Sequence, residues 1–169
     1  TKNTSSPKIK KKIIETGTTP EYRKSKLKRL IEAKNITRAL EAHNSLSGLI
    51  IENLNIKQKN KFSEFDCIWS SSLTDSVSRG KPDNQSVDIS TRLIGLNEIL
   101  EVTTKPVIFD ADNGGRIEHL SYTVKSLERA GVSAIVIEDK IGLKKNSLFE
   151  NQKRSKQDNI KSFCNKIKV

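Results

Sequence analysis

Methionine is absent from this chain of 169 residues, and cysteine is nearly so, with Cys67 and Cys164 far apart. Without metal-ligand spacing they argue against a structural zinc site. Cys67, inside the run Phe65-Asp66-Cys67-Ile68-Trp69, reads as a reduced core cysteine. Aromatics are sparse (Phe 5, Tyr 2, Trp 1) and too thinly spread to build stacking platforms for nucleic-acid bases. No apolar run is long enough to span a membrane and none has the form of a signal segment, so a cytoplasmic location is the default expectation. A chain that starts at Thr1 and holds no Met is expected to be a piece of a longer polypeptide or a processed one.

What is plentiful is positive charge: 31 Lys+Arg against 20 Asp+Glu, a formal net charge of +11. Nucleic acid, an anionic substrate or a solvated lysine-rich surface each fit such a balance. The lysines are scattered through helix-like segments and the N-terminal stretch with few aromatics among them, which favours the solvated surface. The length suffices for one domain with a real core, although only 34% of the residues are apolar.

Residues 1–20 are polar and rich in Lys, Ser and Thr, with Gly17 and Pro20 as punctuation, and read as an irregular or disordered tail or linker. From residue 21 to 169 apolar runs alternate with segments of helical spacing. Strands are predicted over Ile36–Asn44, Phe65–Ser70, Val107–Asp110 and Ala134–Glu138. Helices are predicted over Glu21–Lys34, Leu46–Leu54, Val87–Val102, Glu118–Ala130 (stopped by Gly131) and Asp158–Ile167, with a long polar loop from Ser71 to Asn84. Four βα units in a row, with no internal repeat, amount to an α/β fold and half of a (β/α)8 barrel, which typically needs about 250 residues. The chain stops where a fifth strand is expected.

The chemistry gathers at the predicted strand ends. Asp110-Ala111-Asp112-Asn113-Gly114-Gly115 follows one buried-looking run, and Glu138-Asp139-Lys140-Ile141-Gly142-Leu143-Lys144-Lys145-Asn146-Ser147 follows the next. In a parallel sheet both lie at the carboxyl end, where α/β folds place their sites. A turn alone accounts for Asp112 but not for a second acid, Asp110, directly after an apolar run. Hard oxygens from Asp110, Asp112 and Glu138 suit a magnesium ion that keeps several waters. The loop carrying Lys140, Lys144 and Lys145 is either a basic surface loop or a lid that brings cations and amides to anionic oxygens. Ser70-Ser71-Ser72 is either a flexible loop or a set of hydroxyls and N–H groups able to hold a carboxylate, and Asp83 is a plausible turn residue. His43 and His119 have no spaced partner that makes a triad or a zinc site.

The run Glu-Asp-Lys-x-Gly-x-Lys-x-Asn-Ser from Glu138 to Ser147 closely resembles the signature of the phosphoenolpyruvate mutase family, in the isocitrate lyase superfamily. The resemblance extends through Glu41-Ala42-His43-Asn44, Ile68-Trp69-Ser70-Ser71-Ser72-Leu73 and Asp110 to Gly115, and covers the chain from about Glu21 onward. Thr18-Thr19-Pro20-Glu21 also resembles the junction of bifunctional forms in which a cytidylyltransferase domain comes first. The resemblance implies a magnesium-dependent barrel that interconverts phosphoenolpyruvate and phosphonopyruvate, the opening reaction of phosphonate biosynthesis. Carried over by position, Asp110 is the direct magnesium ligand, with Asp112, Glu138 and Asp83 around its waters. Asp83, Lys144 and Asn146 take catalytic roles. Trp69, Ser71, Ser72, Leu73, Asn146, Ser147 and Leu148 hold substrate. The implied partner is a small molecule, with neither nucleic acid nor membrane, in a homo-oligomeric parent.

Two departures from the family pattern stand out. Ser72 replaces a frequent Gly, and the chain ends before the strand whose Arg grips the phosphoryl group in the family, so the isolated piece is expected to be inactive. A phosphonopyruvate hydrolase shares nearly all these motifs. Carbon–carbon lyases of the superfamily carry a cysteine in the loop after the fourth strand, and this chain has none there. A basic, non-catalytic binding module explains the charge but not three acids at strand ends.

Overall fold

The computed structural model describes residues 18–58, 61–142, 144–146, 148–150 and 155–169. Among them, β1 (Ala39–Glu41), β4 (Cys67–Ser70), β5 (Val107–Asp110) and β6 (Ala134–Val136) form a parallel sheet in that spatial order. Each parallel strand lies beside its predecessor, the order of successive units in a (β/α)8 barrel. The register pairs Glu41 with Trp69, Ser70 with Phe109, and Asp110 with Val136, which aligns the strand ends that carry the acids.

Helices separate the strands: α1 (Pro20–Ala33), α2 (Ser45–Asn53), α3 (Ser72–Ser78), α4 (Ile89–Val102), α5 (Ile117–Ala130) and α6 (Ile160–Ile167). Their starts follow from side-chain caps that satisfy the first free N–H groups. Thr19 caps α1, Asn44 and Ser47 make a reciprocal capping box on α2, and Asp88 caps α4. Because Thr19 is the cap, α1 begins at Pro20 instead of inside the predicted 21–34 segment; residues 1–17 of the expected tail lie outside the described residues. Helix α5 ends at Gly131 in the left-handed region (φ 95°), and a Cβ there would come within 2.9 Å of the Pro20 Cα. Glycine is required on both counts.

The core lies between the sheet and the helices. Val107 and Phe109 alternate inward along β5 and pack with Ile68, Ile51, Leu96, Ile99 and Leu127, while Ile108 and Asp110 point to the other face. Helices α2 and α4 approach closely because Gly48 lacks a Cβ, which would meet the Ile99 Cγ2 at 3.2 Å. Cys67 is fully buried and free, and burial, then the charge of Asp66, pushes its thiol up to about 11. It is the inert core cysteine expected.

Three differences from the sequence expectation have local causes. The predicted 71–84 loop contains helix α3, nucleated by Ser71, whose Oγ accepts the Leu73 N–H at 3.2 Å. Its serine-rich sequence offers only Leu73 and Val77 as a helical apolar pair, too little to show as periodicity. β2 (Asn55–Gln58) and β3 (Lys61–Glu64) form an antiparallel hairpin between α2 and β4, where no element was expected. β6 ends at Val136, not Glu138, yet the chain stays beside β5's extension, because the Glu138 N–H donates to the Asp112 carbonyl at 2.7 Å. No helix among the described residues is long and apolar enough to cross a membrane.

Candidate active site

The carboxyl ends of β4, β5 and β6 converge on one polar cluster. At the end of β4 the chain turns into α3, and Ser72 donates from both its N–H (3.2 Å) and its hydroxyl (2.8 Å) to Asp110 Oδ2. The other carboxylate oxygen, Oδ1, accepts the Asp112 N–H at 3.0 Å. Burial alone would raise the Asp110 carboxyl. The Ser72 hydroxyl, the Asp112 and Ser72 N–H groups and the charge of Lys144 more than offset it and hold the acid below the usual carboxylate range. Asp110 is therefore an anion at neutral pH.

Asp112 sits in the left-handed region with φ 53°, which Asp and Asn tolerate because their short polar side chains bond locally. That turn aims its carboxylate back over β5. There it meets Lys144, whose ammonium lies against Asp112 Oδ1, against Asp83 Oδ1 at 2.7 Å and against the Ser72 hydroxyl at 2.7 Å. Asp83, Asp112 and Ser72 are all buried. Desolvation would lower the Lys144 pKa, but its bonds and Coulombic attraction to Asp112 and Asp83 raise it above the ordinary value, so the cation persists.

The structure thus brings Asp83, Asp110, Asp112, Ser72 and Lys144 into one cluster. Ser71 starts α3 beside it, and Trp69 stands half-buried on β4. The N–H groups of Ser72 and Leu73 are engaged by Asp110 and by the Ser71 hydroxyl. Glu138 shares the strand end through its backbone, but its carboxylate pairs with Lys140 at 2.9 Å and does not join the aspartates. The loop bearing Lys144 is clamped at its base, where β7 (Lys140–Ile141) pairs with β8 (Lys156–Gln157) and the Asp158 N–H bonds the Asp139 carbonyl at 2.7 Å. Within the loop, the buried Asn146 accepts the Leu148 N–H on Oδ1 at 3.0 Å. Ser147 lies outside the described residues.

Two features beside the cluster were given no role from the sequence. A cleft of about 380 Å³ beside the cluster is lined by Leu73, Thr74 and Leu148, together with Glu41 and His43. Glu41 ties β1 to α3 by accepting the Thr74 hydroxyl at 2.5 Å, and its second oxygen lies 3.3 Å from His43 Nδ1. The second is Arg92. Its place on the inward stripe of α4, three residues after Ile89 and four before Leu96, was a legible sign: a charge on an apolar face needs buried partners.

Among the described residues no three acids converge closely enough to hold an ion together. Magnesium does not demand that, since it is usually held by one or two carboxylates and keeps its waters. The donors present, an ionised Asp110 with Asp112 and Asp83 nearby in buried positions, are all hard oxygens and fit such an ion.

The family model described as phosphoenolpyruvate phosphomutase matches residues 27–169. The phosphoenolpyruvate phosphomutase of Tetrahymena pyriformis is 32% identical over 146 residues, covering 86% of this chain and 45% of that protein. The crystal structure of a phosphoenolpyruvate phosphomutase from Streptomyces platensis subsp. rosaceus superposes with a TM-score of 0.73 at 29% identity, over 89% of this chain and 47% of that one. A phosphonopyruvate hydrolase in complex with oxalate and Mg superposes with a TM-score of 0.68 at 28% identity, over 89% and 46%. Lyases are among the matched relatives as well. The chain spans about half the length of the curated relatives it matches.

Proposed function

The chain belongs to the phosphoenolpyruvate phosphomutase family, and we propose that the protein carrying it interconverts phosphoenolpyruvate and phosphonopyruvate, moving a phosphoryl group between oxygen and carbon. The observation that carries this reading is the convergence of Asp83, Asp112 and Ser72 on the Lys144 ammonium directly beside an ionised Asp110. Such a cluster presents fixed charge of both signs at a strand end, which suits an anionic substrate with a cation bound next to it.

In this reading Asp110 would hold magnesium, with Asp112 and Asp83 around its waters, and Glu138 would join them once its carboxylate leaves Lys140. Bound magnesium supplies positive charge to the carboxylate and phosphoryl oxygens of the substrate. The remaining work falls to the chain's own groups. Trp69, Ser71, Ser72 and Leu73 line the end of β4 and orient the carboxylate end of the substrate. Lys144 stays charged and, together with the Asn146 amide, donates to phosphoryl oxygens whose negative charge spreads during transfer. Asp83, buried and 2.7 Å from the ammonium, steers it. Leu148, on the same loop, shields the site from water, and Ser147 is assigned to substrate by the family resemblance.

Water exclusion separates this activity from its neighbour, because water at the phosphoryl group releases phosphate. The likeness to a phosphonopyruvate hydrolase structure makes hydrolysis the second reading. The test is to supply phosphonopyruvate and Mg²⁺ to the full-length protein and follow the products by phosphorus NMR. Phosphoenolpyruvate supports the mutase, inorganic phosphate with pyruvate makes the hydrolase correct, and no turnover of either compound overturns both.

A further inference from the structure

Arg92 is a buried cation whose contacts join the ends of β4 and β5, helix α3 and the turn after β5. Its side chain is 1% exposed. It lies over the Phe109 ring at 4.3 Å from the centroid. One terminal nitrogen, NH1, donates to the Asp110 carbonyl at 2.6 Å and stands 3.6 Å from Asp112 Oδ2. The other, NH2, reaches the Ser70 carbonyl at 3.5 Å, while Nε stands 3.3 Å from Asp75 Oδ2 as a charge pair without a hydrogen bond. Ser70 and Asp110 are the last residues of β4 and β5, Asp75 belongs to α3, and Asp112 to the turn after β5.

We infer that Arg92 is a positioning residue: its guanidinium sets the distance and orientation between the Ser72 end of α3 and the Asp110–Asp112 turn. The inference rests on the magnesium-dependent reading above. The physical argument is one of shape. A planar guanidinium presents five donors in a fixed fork, and here it bonds two carbonyls while standing beside two carboxylates, whereas an ammonium on a flexible stem is a point charge. Asp110 is gripped from two sides, by Ser72 on its carboxylate and by Arg92 on its carbonyl. Asp112 is shared in the same way, one oxygen facing Lys144 and the other facing Arg92. Arg92 therefore leaves one oxygen of Asp112 to the site and holds the other in the frame. Groups that orient metal-binding carboxylates from behind in this manner typically change metal affinity ten- to a hundredfold when altered.

Arg92→Lys keeps the charge and removes the fork. Binding of Mn²⁺ to the full-length protein, titrated by electron paramagnetic resonance, should weaken roughly tenfold or more in this variant. Leu93→Ala, on the same helix and packed against the core, lowers stability while keeping every hydrogen bond of the guanidinium, and should leave Mn²⁺ affinity as in the unsubstituted protein. Unchanged affinity in Arg92→Lys, or equal weakening in both variants, overturns the inference. Absence of Mn²⁺ binding by the unsubstituted protein overturns the magnesium reading itself and this inference with it. Should Arg92→Lys fail to fold, Asp75→Asn decides: it removes the carboxylate that steadies Nε, and affinity should fall in the same direction, an unchanged value again counting against the inference.

Discussion

The Lys144 ammonium and the Asp83 carboxylate meet at 2.7 Å although 61 residues separate them. One stands on the loop after β6 and the other on the segment after α3, so their ion pair closes the cluster from above. Both side chains are at most 10% exposed, which sets this pair apart from a surface salt bridge of negligible worth.

Lys144→Ala should lower turnover of phosphonopyruvate by about a hundredfold or more, the scale on which a fixed donor to a developing anion acts. Asp83→Asn, which keeps the shape but removes one of the two charges that hold the ammonium, should act in the same direction. Steady-state kinetics of the full-length protein provide the check. Wild-type turnover in Lys144→Ala would remove the loop from the chemistry.

Asp110 should matter more to the metal than any other residue. Asp110→Ala is expected to abolish Mg²⁺-dependent activity, with Asp112→Ala and Glu138→Ala impaired less completely. The ordering is read from activity against Mg²⁺ concentration in the three variants. Retained activity in Asp110→Ala would rule out this site.

Asn146→Ala should lose turnover strongly while substrate still binds, because its amide is assigned to the transferring group. The measurement is kcat against KM with phosphorus NMR on the products. A rise in KM with kcat unchanged would move Asn146 from catalysis to binding.

Glu52 should make the fold acid-sensitive. Burial would raise its carboxyl, but the Thr104 and Thr103 hydroxyls, the Thr104 N–H and the charge of Lys105 hold it below the usual range. The folded state thus binds fewer protons than the unfolded one. The resulting stability is complete above the unfolded value of about 4.3 and is lost as pH falls through the lower folded value. Glu52→Gln should cost roughly 1–2 kcal/mol near neutral pH and progressively less below about pH 4. Urea denaturation of both proteins across that range tests it, and a difference independent of pH would refute the linkage.

The strand-end acids were legible because they interrupt apolar runs: Asp110 follows Val107-Ile108-Phe109, and a buried run cannot end on a carboxylate without a use for it. The long helices were legible for the same periodic reason. Helix α3 was not, since Ser71 and Asp75 create it through a cap and ion pairs instead of an apolar stripe. The gathering of Asp83 and Lys144 was not legible from spacing either, because no local pattern brings together loops on different strands; only the family resemblance pointed there. Glu138 shows the converse: its place at the strand end was readable, but the turn of its side chain toward Lys140 was not.

The left-handed backbone at Asp112 also bears on how a protein of this fold can change over generations. Most substitutions there distort the turn as well as removing the acid, and selection meets the two losses together. Asn and Gly are exceptions, since both adopt that backbone readily, and both lie a single base change from an aspartate codon. A lineage can therefore shed the charge while keeping the shape. Descendants that have abandoned the chemistry but kept the scaffold should be found carrying Asn or Gly at this position.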